Sequence, residues 1–206
     1  MGIVLLPSLS KAIKNNNIEE IHTTQNRSLE FCLLISLPSA AGLYILSTPI
    51  VHILFERGAF LSEDTFYTAK VLSLFALGLP AYILIKVLVT CFFARENTKI
   101  PLYISVVSVA INIILSLLLI ESMREMGIAL ATAISAWANT FLLFIILHNK
   151  KDLILDTKLI TNTIKILISA ILMALGCYFL NLIIFMNIEH LSLLLKVGDL
   201  FLILVC

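Results

Sequence analysis

Repeated stretches of about 20 consecutive apolar residues, separated by short charged loops, fill nearly all of this 206-residue chain. A hydrocarbon core of roughly 30 Å is crossed by about 20 helical residues at about 1.5 Å each, so these stretches predict a polytopic bundle of transmembrane helices, an all-α membrane protein. The runs are continuous rather than alternating, which argues against membrane strands. With 60% hydrophobic and 13% charged residues the composition lies far from that of soluble domains. The net charge of +1 and the lack of a dense Lys/Arg cluster give no footprint for nucleic acid.

Hydropathy predicts helices over about 2–14, 28–55, 65–94, 99–121, 127–148, 159–187 and 191–206 within one transmembrane domain, 1–206. The first reads as the end of a helix begun upstream and the last as an incomplete span, so the chain is expected to be part of a larger protein. The N-terminus has no basic lead and no long apolar region before Pro7, unlike a signal peptide. Alternate loops carry Lys11, Lys14, Arg27, Arg95, Lys99, Lys150, Lys151 and Lys158, against only Arg57 and Arg124 in the others. Eight against two in strict alternation places Lys11, Arg95 and Lys150 in the cytoplasm. Pro38, Pro49 and Pro80 lie within spans and predict kinks; Gly78, two residues before Pro80, marks the expected bend.

Lys86 is the charge that most needs an explanation. It lies inside the run Val71 to Phe93, about seven residues or roughly 10 Å from the expected cytoplasmic end. An ammonium held near a helix centre costs on the order of 3 kcal/mol. A water-filled cavity or an anionic partner would offset that cost; snorkelling or an internal pair is the alternative. Ser105, Ser108, Asn112 and Ser116 form one stripe on the fourth segment, and Thr132, Ser135 and Asn139 repeat it on the fifth. These stripes predict hydrogen bonds between the two helices, with a polar cavity or a cation site on Asn112, Ser116 and Thr132 as the other reading. Ala129, Ala133 and Ala136 form a small-residue edge for close helix packing. Arg27 and Glu30 are expected to neutralise each other, as are Lys196 and Asp199. Cys32, Cys91, Cys177 and Cys206 fall in apolar runs without metal or CxxC spacing and read as small apolar side chains. No HExxH, GxSxG or P-loop is present, and neither an enzymatic role nor a cofactor is expected.

Three stretches carry a specific likeness: Leu5 to Ser10 (LLPSLS), Pro49 to Phe60 (PIVHILFERGAF), and Leu79 to Pro101, with Lys86 and the run Phe92 to Lys99 (FFARENTK) inside it. In order and spacing, up to about residue 150, they resemble the MurJ (MviN) family of lipid II flippases. The resemblance implies a fold like the C-terminal lobe of a MATE-like member of the MOP superfamily, running from the end of the eighth to part of the fourteenth helix. It also implies a groove for a lipid tail and a cationic cavity facing an opposing N-terminal lobe, which would have to be supplied, in trans if need be. The implied activity is movement of an undecaprenyl-pyrophosphate-linked precursor across the bacterial inner membrane by alternating access. Lys86, Arg57 and Arg95 are the candidate substrate contacts under that reading. Arg57 can equally belong to a turn made by Gly58, and Arg95 can equally set topology or meet lipid headgroups. A related polysaccharide-lipid or drug exporter and a non-transporting membrane subunit are the competing readings.

Overall fold

The computed structural model describes the backbone of residues 2–15 and 17–187 and the side chains of 5–15 and 17–181. The expected span 191–206, Lys196, Asp199 and Cys206 lie outside the described residues. Among the described residues seven helices follow one another: α1 (Gly2–Lys14), α2 (Ile18–Ile45), α3 (Ser47–Phe55), α4 (Ser62–Phe93), α5 (Lys99–Met123), α6 (Glu125–Asn149) and α7 (Thr157–Asn187). Among the described residues, α2, α4, α5, α6 and α7 are long and apolar enough to cross a membrane.

Two boundaries differ from the hydropathy reading. Helix α2 starts at Ile18 rather than near 28, because Asn17 caps it: the Asn17 side chain accepts from the Glu20 backbone N–H at 3.2 Å and donates to the Glu20 carboxylate at 3.0 Å. The expected single span 28–55 is broken at Leu46. Pro49 has no N–H to give the Ile45 carbonyl, so α2 stops there, and α3 restarts with Pro49 in its first turn, where that N–H is not needed. The Ser47 hydroxyl donates back to the Tyr44 carbonyl at 3.1 Å. Helix α4, by contrast, runs unbroken through Gly78 and Pro80. Beside Pro80 the Trp137 indole donates to the Leu77 carbonyl at 3.0 Å, and the Thr140 hydroxyl donates to the Ala81 carbonyl at 3.2 Å. Side chains of α6 thus add polar contacts to the backbone on either side of the proline, although the carbonyl that Pro80 leaves without its N–H is that of Ala76.

Packing follows a row: α5 on α6, α6 on α4, α4 on α2 and α2 on α7, with α1 against α2 and α4, and α3 against α4. The α4–α6 contact uses the predicted alanine edge. Ala129, Ala133 and Ala136 are buried, and a Cβ on Gly78 would lie 3.3 Å from the Ala133 Cα. The α5–α6 turn is tighter still, with a Cβ on Gly127 meeting the Leu119 carbonyl oxygen at 2.6 Å. The main core lies toward the lysine-rich end, where Leu5, Leu9, Val87, Leu88, Phe92, Leu143, Leu147 and Leu153 pack together. Helix α5 turns Leu102, Tyr103, Val106, Val109, Ile113, Leu117 and Leu118 outward, a face that only hydrocarbon or protein can cover favourably.

Candidate functional site

The two faces of the α2–α4–α6 row differ in character. One carries an apolar groove, open on one side, walled by α2, α4 and α6 and flanked by α7. Toward the lysine-rich end it widens to about 370 Å³, lined by residues including Leu29, Leu84, Leu88, Phe141, Phe144 and Ile164. Farther along a second widening of about 340 Å³ is lined by residues including Ala40, Tyr44, Leu77, Pro80, Ala170 and Ala174. Trp137 borders both. The groove exists because α7 packs along α2 and stands off α4 and α6.

Lys86 lies on the other face. Groove residues Leu84 and Leu88 are each two positions, about 200°, away from it on the helix. Its side chain is exposed, and among the described residues it makes no ion pair. One turn from Lys86, the Tyr82 hydroxyl is buried without a hydrogen-bond partner among the described residues. Asn139, about 200° around α6 from Trp137, has a buried side-chain oxygen in the same condition. Among the described residues this face holds a lysine without an ion pair and two unmatched polar atoms, against one, the Thr163 hydroxyl, on the groove side; each favours a polar partner within a bilayer.

The other candidate cations are engaged by the protein itself. The Arg95 side chain meets the Asp152 carboxylate at 3.0 Å and donates to the Asp152 carbonyl at 2.8 Å and the Cys91 carbonyl at 3.1 Å. It holds the α6–α7 connection against the end of α4. Arg57 folds back to donate to the Ile53 carbonyl at 3.3 Å, and its backbone enters a turn in which Gly58 takes φ +60°. That conformation is open to glycine at little cost, so the turn reading of the Arg57 stretch has a structural basis. Lys70 sits over the Phe66 ring at 4.1 Å.

The polar stripes of α5 and α6 meet as the interhelical reading expected. Ser108 donates to the Ser135 carbonyl at 2.7 Å, Asn112 to the Ser135 hydroxyl at 3.0 Å, and Ser116 to the Asn112 side-chain oxygen at 3.2 Å. Thr132 donates to the Ile128 carbonyl of its own helix at 2.7 Å, and Ser105 is exposed. Bonds of this type contribute about 0.6 kcal/mol each in a bilayer. Asn112→Ala combined with Ser135→Ala should therefore show a coupling of about that size in a double-mutant cycle of unfolding in detergent. A coupling indistinguishable from zero would mean that the seam contributes no association energy.

Hydropathy reasoning missed a polar lattice at the lysine-rich end. Gln25 and Asn26 are 0% and 1% exposed, and Asn26 donates to the Ile154 carbonyl at 2.9 Å. Arg27 pairs with Glu30, as expected, and also with Asp156 at 3.0 Å. Asn162 donates to Glu30 at 2.5 Å. The partners lie up to 132 residues apart in sequence. The Asn17–Glu20 cap was the one local sign that α2 reaches this region.

This helical row, with an apolar groove on one face and on the other a lysine that makes no ion pair among the described residues, is that of a multi-pass membrane protein. A sequence profile described as "Lipid II flippase MurJ" matches residues 1–198, and the chain belongs to that family. It is 43% identical over 173 residues to the "Probable lipid II flippase MurJ" of Rhizobium tropici, covering 84% of this chain and 32% of that protein. It is 42% identical to the protein of the same name from Rickettsia prowazekii, covering 83% and 34%. A solved structure, "Lipid II flippase MurJ, inward closed conformation", superposes with a TM-score of 0.75 at 28% identity, covering 98% of this chain and 40% of that one. The chain thus spans about a third of the length of the curated relatives it matches.

Proposed function

We propose that this chain serves the flipping of lipid II across the bacterial inner membrane, as the C-terminal part of an alternating-access transporter and not as an enzyme. The observation that carries the reading is the pairing of family membership with an unneutralised lysine opposite an apolar groove. The substrate is amphipathic in the same sense. A pyrophosphate cannot enter a low-dielectric interior without a cation, and a polyprenyl tail stays in hydrocarbon. Lys86 faces the headgroup path, with Tyr82 and Asn139 adding polar contacts, while the groove along α7 takes the tail. Arg57 and Arg95 are occupied within the chain, so the substrate-contact proposal narrows to Lys86. The opposing wall of the path comes from the part of the relatives' length that this chain does not span.

The lysine-rich end is the cytoplasmic one on this reading. Single cysteines at Asn97 and Asn149, introduced after replacing the native ones, should react with a membrane-impermeant thiol reagent from the cytoplasmic side alone. Labelling from the periplasm at either position would reverse the orientation. The transport reading itself is tested by depletion and rescue: the chain expressed with an N-terminal lobe in trans should restore lipid II exposure, and the chain without that lobe should not. Failure of the pair, with both halves inserted in the membrane, would favour a non-transporting role.

A further inference from the structure

The groove and the polar lattice share one element, the connection 150–156. The chain leaves α6 with Lys151 at φ +57°, and backbone bonds from Lys151 to His148 and from Asp152 to Leu147 turn it back over the lysine-rich end. Leu153 is then fully buried in the main core. Four polar anchors follow: Asp152 on Arg95 at the end of α4, the Ile154 carbonyl on Asn26, Asp156 on Arg27, and, one turn into α7, Asn162 on Glu30. Asp156 also accepts from the Leu159 N–H at 2.7 Å, so the residue that grips α2 also starts α7. Beyond this point α7 has one long neighbour, α2, with a small buried contact of Cys177 on Leu46. Its flanks toward α4 and α6 border the groove.

We infer that residues 150–156 form a strap whose ionic anchors set the tilt of α7 and thereby the width of the apolar groove. A lever argument gives the scale: about 20 residues along α7, or about 30 Å from the strap, a tilt of about 10° displaces the helix by about 5 Å, the width of one acyl chain. Two strengths of anchor are built in. Arg27 and Asp156 are 40% and 37% exposed and lie open to screening by salt, whereas Arg95 and Asp152, at 19% and 29%, are better shielded. The inference concerns how the groove opens and holds whether or not the chain flips lipid II.

Trp137, the chain's single tryptophan, borders both widenings and reports on the groove directly. The full chain is placed in zwitterionic vesicles whose lipids carry bromine near the middle of the acyl chain, and quenching of Trp137 fluorescence is measured. Asp152→Asn with Asp156→Asn should raise quenching about twofold over the unchanged chain at low salt, as α7 swings away and acyl chains enter. The unchanged chain should itself show more quenching at high salt, and the double variant should respond less to salt. Equal quenching in the two proteins at low salt, with helicity retained, would overturn the strap. Should the variant fail to insert, the salt series on the unchanged chain decides: a flat response contradicts the inference and a rising one supports it.

Discussion

In a complete flippase of this family, Lys86→Ala should lower lipid II exposure by about tenfold or more while the amount of protein in the membrane stays the same. Removing a charge-assisted contact to a phosphate forfeits about 1.5–3 kcal/mol, which sets that scale. Lys86 has no carboxylate partner among the described residues, so its removal leaves no stranded charge and insertion should even become slightly easier. Lys86→Arg should keep most of the activity, since a guanidinium binds phosphate at least as well. Full activity of the alanine variant, read as lipid II reaching the periplasmic leaflet, would remove Lys86 from the transport path.

The largest structural effect is expected at Gly127. A Cβ there would sit 2.6 Å from the Leu119 carbonyl oxygen and 2.8 Å from the Leu119 Cβ, and backbone atoms cannot rotate out of the way as a side-chain tip can. Gly127→Ala should therefore open the α5–α6 hairpin at a cost of about 2–3 kcal/mol, seen as a lower midpoint of unfolding in detergent. Gly78→Ala should cost less, because the nearest atom, at 2.9 Å, belongs to the Tyr82 ring, although the Ala133 Cα lies at 3.3 Å behind it. Gly176→Ala, with nothing within 4 Å, should be neutral or gain about 0.5–1 kcal/mol of helix propensity. An equal response at all three positions would contradict the close helix approaches described above.

Much of the architecture was legible because hydrophobicity and loop charge act locally. The ends of α1, α5, α6 and α7 fall within a few residues of the hydropathy limits, the polar stripes pointed to the α5–α6 contact, and the alanine edge marked a close-packing face whose neighbour, α4, only the fold reveals. Prolines were harder. Pro38, Pro49 and Pro80 look alike in sequence, yet of the three only Pro49 lies at a helix break; α6 places Trp137 and Thr140 beside Pro80, and nothing comparable marks Pro38. Lys86 stood out as a charge in an apolar run, but which face it occupied depended on where α7 packs. The strap was not legible at all. Asp152 and Asp156 read as ordinary loop carboxylates until folding brings them to Arg95 and Arg27, 57 and 129 residues away.

On the proposed function, the Lys86 position faces an aqueous, anion-accepting path rather than acyl chains. This is tested most directly by placing a cysteine at that position in a complete, otherwise cysteine-free family member and measuring its reaction with a small charged thiol reagent, with and without lipid II. Ready modification that slows when lipid II is bound is the expected result. A thiol that resists the charged reagent but is reached by a lipid-soluble one, regardless of substrate, would contradict it.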